Sequence, residues 1–249
     1  MDMSFWTASI GAEAAQNKLN IVSNNLANVN NNGFKTKNPE FAELVNYNLN
    51  GPREERTDLQ AGAGAIVNQA PTNFSTSSIT NTERKMDYAL TGDNEFFLVQ
   101  DQETGEQTLT RTGHFHAGQR ADGSYVLMTD SNKIVLNTDR QPVVMNMDKV
   151  SDDGEGEPAE GQTIGVYTVP YPSRLLNTGD NEFQVRDGDA NNQITAVQNP
   201  AIMQGVLEQS NVDVAREMVN TIEAQRAFSY TLRMVTTSDE IAETINSLR

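Results

Sequence analysis

The sequence predicts an α+β fold in which long N- and C-terminal amphipathic helices form a coiled-coil layer and flank a central β-rich domain. Two observations predict this fold. Apolar residues recur at spacings of three and four near both ends of the 249-residue chain, which is a helical period. Between the ends the period changes, and short runs rich in β-branched and aromatic residues alternate with Gly, Asn and Asp, as in strands joined by turns.

The N-terminal pattern predicts a helix over residues 4–29. Its seam, the row of apolar or small residues at alternating spacings of three and four, is of the coiled-coil type. The seam consists of Phe5, Ala8, Ala12, Ala15, Leu19, Val22, Leu26 and Val29. Its alanines permit close approach of another helix. We expect the helix to end near Asn32-Gly33, because Asn and Gly tolerate positive φ.

The C-terminal pattern predicts a second helix over residues 211–248, about 57 Å long at 1.5 Å per residue. Ser210 and Asp213 have the spacing of a capping box ahead of it. Other apolar residues, Phe228 among them, widen its apolar face. The predicted seam consists of Ala224, Ala227, Thr231, Met234, Ser238, Ile241, Ile245 and Leu248.

Between the helices, seven runs predict strands, and Asp122-Gly123 and Ser131-Asn132 predict hairpin turns. The strands are expected at 88–90, 96–100, 107–111, 124–128, 133–136, 162–169 and 182–186. The acidic segment 151–161 is expected to form an exposed loop. We therefore expect an N-terminal helix and turn at 1–45, an extended linker at 46–82, a β-rich domain at 83–200 and the C-terminal helix at 201–249.

Composition excludes several classes of function. The chain has no cysteine, so disulfides, thiolate nucleophiles and Cys-based zinc sites are excluded. Most of the net charge of −16 lies between residues 41 and 200, and such a field opposes binding to nucleic acid or to anionic membranes. No apolar stretch approaches the roughly 20 residues needed to span a bilayer. The N-terminal residues lack a basic region followed by an apolar one, so no cleaved signal peptide is expected.

Candidate sites for metals or catalysis are weak. His114 and His116 alternate on a predicted strand, but two histidines without a third ligand of recognisable spacing do not predict a metal site. The acidic residues of 151–161 lack the spacing of an EF-hand loop. No G-x-S-x-G motif is present. We therefore predict no catalytic residue, no metal and no cofactor.

The two terminal seams need a partner surface, because isolated helices are marginal in water without tertiary packing. The helices can pack on each other within a monomer or on neighbouring copies, and periodicity does not separate these cases. The same holds for Asn24, Asn25, Asn28 and Gly33, which are suited both to an ordinary helix stop and to subunit contact. An alternative of another class is a monomeric extracellular β-rich binding or hydrolytic domain that the helices clamp shut.

Two distant segments resemble the terminal signatures of flagellar rod and hook proteins. They are SNNLANVNNNGFKTK at 23–37 and QGVLEQSNVDVAREMVNTIEAQRAFSYTLRMVTTSDEIAETINSL at 204–248. Weaker similarities lie in MDYALTGDNEFFLVQ at 86–100 and LTRTGHFHAGQRADGSYVL at 109–127. Together these segments cover well over half of the chain.

The resemblance implies a structural subunit of the flagellar basal body that is exported by the flagellar type III apparatus and catalyses nothing. It also implies a homo-polymer, a torque-transmitting tube that contacts other rod and hook proteins, with the terminal helices in an inner coiled-coil layer. Length favours a rod protein over a hook protein, and LQAGAGAIVNQAP at 59–71 resembles distal rod proteins. A proximal rod or hook-type subunit remains the alternative. The residues expected to carry self-assembly are Phe5, Ala12, Leu19, Val22, Asn24, Asn25, Leu26, Asn28, Gly33, Phe34, Ala224, Ala227, Phe228, Met234, Ile241, Ile245 and Leu248.

Overall fold

The computed structural model describes residues 3–44, 47–48, 60–120, 123–146, 157–158 and 162–248. The chain forms two compact units, each built from several stretches of sequence. The first unit comprises 1–27, 37–71 and 213–249, and the second comprises 28–36 and 72–212.

The first unit contains two helices and four short strands. They are α1 (Met3–Ala27), β1 (Glu40–Glu43), β2 (Tyr47–Asn48), β3 (Gln60–Ala61), β4 (Ala65–Gln69) and α2 (Val214–Ser247). The strands form the antiparallel pairs β1–β4 and β2–β3. The helices pack on each other, and α1 also contacts β4. Both predicted helices are present, with α1 ending two residues earlier than expected.

The start of α2 corrects one prediction. Asp213 is the N-cap, and its carboxylate accepts a hydrogen bond from the backbone N–H of Arg216 at 3.2 Å. The Ser210 hydroxyl instead accepts from the N–H of Val212, ahead of the helix, at 3.4 Å. The capping box was therefore wrong, because Asp213 satisfies the first turn of the helix by itself.

The second unit is β-rich. Its strands are β5 (Ile79–Asn81), β6 (Tyr88–Leu90), β7 (Glu95–Gln100), β8 (Gln107–Thr110), β9 (Phe115–Gln119), β10 (Tyr125–Thr129), β11 (Ile134–Val135), β12 (Met145–Asn146), β13 (Glu157–Pro158), β14 (Val166–Thr168), β15 (Leu176–Gly179), β16 (Glu182–Gln184), β17 (Thr195–Ala196), β18 (Ile202–Gln204) and β19 (Val206–Glu208). A 3-10 helix at Pro172–Arg174 precedes β15.

Nine of these strands form one sheet, in the order β15-β16-β8-β7-β11-β10-β9, with β14 pairing to β7 and β17 pairing to β14. All of its pairs are antiparallel. Three further pairs, β12–β13, β18–β6 and β19–β5, complete the described strands of this unit.

The core lies on both faces of the sheet. Along β7, Phe97 and Val99 belong to one apolar cluster, whereas Phe96 and Leu98 belong to another. Successive side chains of a strand point to opposite faces, so a continuous apolar run such as EFFLVQ indicates a strand covered on both sides. All four of these side chains are completely buried.

The strand predictions are confirmed, because each of the seven predicted runs contains a strand. The turn at Ser131-Asn132 is also present, with Asn132 at a φ of 59°. Asp122 of the other predicted turn, and the acidic segment 151–161 except β13, lie outside the described residues. The stretch predicted as a linker contains β2, β3, β4 and β5. Among the described residues, no helix combines the length and apolarity that crossing a bilayer requires.

Candidate assembly site

Helix α1 packs against α2, and the residues of its predicted seam are buried to different degrees. Of its site residues, Val22 is 1% exposed, and Phe5, Ala12, Leu19 and Leu26 are half-buried. The contacts with α2 are made by the residues one position before this row, which are Ser4, Gly11, Lys18 and Asn25.

The two helices are antiparallel, and their contacts recur at seven-residue intervals along α1. The hydroxyls of Ser4 and Ser238 are 3.0 Å apart. One heptad further along α1, a Cβ on Gly11 would lie 3.2 Å from Cγ2 of Thr231. Another heptad on, Lys18 Nζ lies 3.3 Å from Glu223 Oε2. The seven-residue repeat is the period of coiled-coil packing.

Asn25, one further heptad along α1, also contacts α2. Its side chain joins three segments of the first unit. Its amide nitrogen donates to the carbonyl of Lys37 at 2.9 Å and to the Glu217 carboxylate at 3.3 Å. Its amide oxygen accepts from the N–H of Lys37 at 3.0 Å. Asn25 is 1% exposed, whereas Asn24 is exposed and Asn28 is half-buried. Asn25 therefore fixes the end of α1 to the returning chain and to the first turn of α2.

The predicted seam of α2 is divided between a side that packs on α1 and a side that is exposed. The face that packs on α1 repeats every seven residues through Glu217, Ala224, Thr231 and Ser238, with Phe228 half-buried beside it. The exposed members of the predicted seam are Ala227, Met234, Ile241, Ile245 and Leu248. Apolar residues lie on both sides of the packed face, so their spacing alone does not indicate which side packs on α1.

These exposed residues form an apolar surface on α2. Met234 is 54% exposed, Ile241 50%, Ile245 62% and Leu248 83%. Tyr230 is a further exposed aromatic residue on this helix. Exposed apolar surfaces of this kind often mark the sites where a protein binds a partner.

In the second unit, Gly33 turns the chain at a position that no other residue fits. Its φ is +70°, and a Cβ there would lie 2.8 Å from the backbone nitrogen of Thr112 and 2.9 Å from the carbonyl of Arg111. Its N–H donates to the carbonyl of Glu208 at 2.8 Å. Phe34 follows it and is 5% exposed. The terminal motif therefore contacts the β unit through its backbone as well as its side chains.

Next to this turn lies a buried charge cluster formed by Lys35, Arg111 and Glu208. Lys35 Nζ is 2.7 Å from Glu208 Oε1, and Arg111 Nε is 2.9 Å from Glu208 Oε2. The side chains of Lys35 and Arg111 are 0% exposed and that of Glu208 is 2% exposed. Burial lowers the pKa of the Lys35 ammonium, and its hydrogen bond to Glu208 opposes that shift.

The remaining donors of the cluster are satisfied as well. Lys35 donates to the carbonyl of Ser75 at 2.7 Å, and Arg111 donates to the carbonyls of Gly92 and Glu95, each at 2.9 Å. The backbone N–H of Ser77 donates to Glu208 at 2.9 Å. Such buried charges are tolerated because each has its hydrogen-bond partners.

The sequence did not predict the polar residues that make these buried hydrogen bonds and ion pairs. They are Lys35, Arg111, Glu208, Asn211 and Glu217. Asn211 accepts from the N–H of Thr36 at 2.8 Å and donates to the carbonyl of Asn73 at 2.9 Å. Glu208 did give a signal in the sequence, because it is the one charged residue in an otherwise uncharged part of the C-terminal motif, GVLEQSNV. Charged residues are mostly exposed, so the position alone did not predict burial.

The histidine pair does not gather ligands in the described part of the chain. His114 Nδ1 is 3.1 Å from Asp130, and His116 Nδ1 is 3.9 Å from the same carboxylate. The Arg84 guanidinium lies 2.5 Å from His114 Nε2, and this cation opposes a metal ion there. Among the described residues, no group of three or more His, Asp or Glu side chains is placed to hold a metal.

Comparison with known proteins gives two matching family models. Residues 203–248 match "Flagellar basal body rod FlgEFG protein C-terminal", and residues 6–35 match "Flagella basal body rod protein". These ranges include the packed faces of both helices, Lys35 and Glu208.

Whole-chain relatives agree with these models. The flagellar basal-body rod protein FlgG of Bacillus subtilis is 32% identical, over 99% of this chain and 98% of the relative. The protein of the same name from Borreliella burgdorferi is 30% identical, over 100% of this chain and 99% of the relative. A flagellar hook-basal body complex protein of Bacillus subtilis, FlhP, is 26% identical, over 99% of both chains.

Proposed function

Because this chain belongs to the family of flagellar basal-body rod proteins, it is a structural subunit of the rod, and we propose that its place is the distal rod. The resemblance found in the terminal motifs is confirmed by the family models and the full-length relatives. In our proposal, copies of the chain associate through their terminal helices into a tube that transmits torque. The relatives named above are rod and hook-complex proteins, not enzymes, and we assign no catalytic role to the chain.

The observation that carries the self-assembly proposal is the exposed apolar surface of α2. Ile241, Ile245 and Leu248 are each at least half exposed in the single chain. Burying one such side chain contributes about 1.5–3 kcal/mol, so a neighbouring copy that covers them gains a favourable contact. The antiparallel pair α1–α2 would then be the building block of a coiled-coil layer.

The proposal extends to partners and route. The chain polymerises with itself, contacts other rod and hook proteins at the ends of its segment, and reaches the basal body through the flagellar export apparatus. The resemblance of both terminal motifs supports these statements. The acidic stretch between residues 41 and 200 suits a unit on the outside of such a tube, where it remains solvated.

The experiment is Ile241→Asp in cells that lack the wild-type copy. Ile241 is 50% exposed in the single chain, so the purified variant should keep its helix content and melting temperature. Assembly should fail, because a carboxylate in an apolar interface costs several kcal/mol. The measurements are motility and the amount of protein in isolated basal bodies.

Asn246→Asp is the matched control, because it adds the same charge at an exposed polar position of the same helix. It should leave motility unchanged. Motile cells with normal rods carrying Ile241→Asp would contradict the proposal, as would a wild-type protein that is absent from basal bodies.

A further inference from the structure

In the second unit, the side chain of Arg84 lies between a histidine ring and a buried carboxylate. Its Nη1 is 2.5 Å from Nε2 of His114 and 3.5 Å from Oδ1 of Asp87. The first distance is that of a close hydrogen bond, whereas the second exceeds the range of about 2.7–3.2 Å that is usual for N–H···O hydrogen bonds. One guanidinium nitrogen therefore has two competing partners.

The contact with Arg84 fixes the protonation state of the His114 ring. A guanidinium group donates hydrogen bonds and accepts none, so Nε2 of the ring is the acceptor and carries no proton. The other ring nitrogen, Nδ1, lies 3.1 Å from both carboxylate oxygens of Asp130, and it donates to them. This geometry is therefore that of a neutral histidine.

The Asp87 carboxylate lacks the hydrogen bonds that a buried charge needs. The residue is 1% exposed, and neither of its side-chain oxygens has a hydrogen-bond partner in the described part of the chain. A buried carboxylate without such partners is unfavourable. Shortening the 3.5 Å separation from Arg84 by about 0.6 Å would give a hydrogen bond of ordinary length.

We propose that His114 is a pH-sensitive switch that passes Arg84 from the histidine ring to the Asp87 carboxylate. Histidine ordinarily gains its second ring proton as the pH falls from about 8 to about 5. A protonated ring carries N–H groups on both nitrogens, so it no longer accepts from Arg84, and the two cations repel each other. Arg84 then donates to Asp87, and the ring keeps Asp130 as its counter-charge.

Acidic side chains supply the counter-charge for the protonated ring. Asp130 lines one cavity with Asp180 and Glu182, and Glu182 is already paired with a lysine. The second histidine of the chain, His116, has its Nδ1 3.9 Å from Asp130. Because histidines ordinarily change charge in the same pH range, His116 competes for this carboxylate, and a test has to separate the two rings.

The switch acts on the turn that holds the strand leading into the C-terminal motif. The carbonyl of Asp87 accepts a hydrogen bond from the N–H of Gly205 at 2.8 Å, and the N–H of Thr82 donates to the carbonyl of Gly205 at 2.9 Å. Gly205 directly precedes β19, which carries Glu208. A hydrogen bond to the Asp87 carboxylate therefore tightens the attachment of this strand at low pH.

Nitrogen NMR of the imidazole rings tests the starting state in the purified full-length chain. The chain has two histidines, so His116→Gln leaves a single ring to follow. At about pH 8, Nδ1 of His114 should carry the proton and Nε2 should not, and at about pH 5.5 both should be protonated. A proton on Nε2 at pH 8 would overturn the proposal.

A double-mutant cycle tests the exchange of partners. Arg84→Met, Asp87→Asn and the double variant are unfolded in urea at about pH 8 and pH 5.5, followed by circular dichroism, and the interaction is expressed as a ratio of unfolding constants. We expect this ratio to be about tenfold larger at pH 5.5, since hydrogen bonds to charged groups have this strength. In a His114→Gln background, which takes up no proton, the ratio should be the same at both pH values.

Arg174 and Asp189 provide the matched control, because their ion pair of 3.7 Å lies in the same unit and includes no histidine. A cycle with Arg174→Met and Asp189→Asn should give the same ratio at both pH values. An interaction between Arg84 and Asp87 that does not change with pH, or that changes equally with His114→Gln, would rule out the switch. All of these measurements use single purified chains, so their results are independent of whether the chain enters the rod.

Discussion

Lys35 shows how one buried cation holds the terminal motif to the β unit. Its ammonium pairs with Glu208 at 2.7 Å and with the carbonyl of Ser75 at 2.7 Å. Lys35→Met keeps most of the volume but leaves the Glu208 carboxylate with one cation fewer. Removing one partner of a buried pair costs about 3–5 kcal/mol, and we expect the lower end because Arg111 remains.

The measurement is hydrogen exchange of peptides from β7 and β8, which should lose protection in this variant. Lys18→Met serves as the control, because its pair with Glu223 is on the surface, where the Glu223 side chain is 61% exposed. Exposed ion pairs contribute at most about 1 kcal/mol. Equal losses of protection in both variants would mean that the buried charge cluster stabilises the β unit no more than the surface ion pair does.

Gly33 gives a second prediction at the scale of a residue. Gly33→Ala combines a positive φ, which costs about 1–2 kcal/mol for a residue with a Cβ, with a contact of 2.8 Å to the Thr112 nitrogen. Overpacking adds about 1–3 kcal/mol, so we expect a loss of about 3 kcal/mol in urea unfolding.

Gly123→Ala separates the cost of the positive φ from the cost of overpacking. Gly123 has a φ of +86°, and a Cβ added to it would meet no atom within 4 Å, so this variant carries only the conformational cost. The difference between the two variants measures the close approach of the Gly33 turn to the backbone of Arg111 and Thr112. Identical losses would show that this approach costs nothing.

At single positions, sequence predicted backbone requirements better than buried charge. The pair Asn32-Gly33 indicated a turn, and the structure has Gly33 at positive φ. Lys35 and Glu208 were not predicted, because their burial depends on each other and on Arg111, three residues that are distant in sequence. A pattern within one segment cannot show such a dependence.

At the scale of elements, the two helices lie close together at Gly11. A Cβ there would lie 3.2 Å from Cγ2 of Thr231, so Gly11→Leu should force the two helices apart. The gain in helix propensity is about 0.8 kcal/mol, whereas overpacking costs about 1–3 kcal/mol. We therefore expect a lower melting temperature for the helices.

The fluorescence of Trp6, the single tryptophan of the chain, reports on α1 during this melt. Ser9→Leu is the matched control, because Ser9 is exposed on the same helix. That variant should melt at or above the temperature of the wild type. Gly11→Leu combined with Thr231→Ala should recover part of the loss, and no recovery would contradict the proposed contact.

Elements with a strong local signal were predictable, whereas the choice between two faces of one helix was not. Strand β7 was indicated by a continuous apolar run, and α1 was indicated by apolar and small residues at helical spacing. On α2, Ala227 and Met234 lie on one side of the packed face, and Phe228 and Val235 lie on the other. Only the position of α1 decides which side is covered.

At the scale of the whole molecule, each unit depends on both ends of the sequence. The second unit takes Lys35 from the N-terminal motif and Glu208 from the C-terminal motif, and the first unit takes its two helices from the same ends. This interleaving predicts how deletions behave. Removing residues 1–30 or 215–249 takes away one helix but leaves the buried charge cluster intact.

We therefore expect either deletion to abolish assembly and motility while the β unit stays folded and cooperative in thermal unfolding. Extending the first deletion to residue 36 should instead unfold the β unit, because it also removes Gly33 and Lys35. The comparison of the two N-terminal deletions by circular dichroism and hydrogen exchange tests whether the motif serves the β unit as well as the helices. A β unit that is equally stable after both deletions would show that Lys35 and the Gly33 turn contribute nothing to it, and assembly by either deleted chain would contradict the role of the terminal helices.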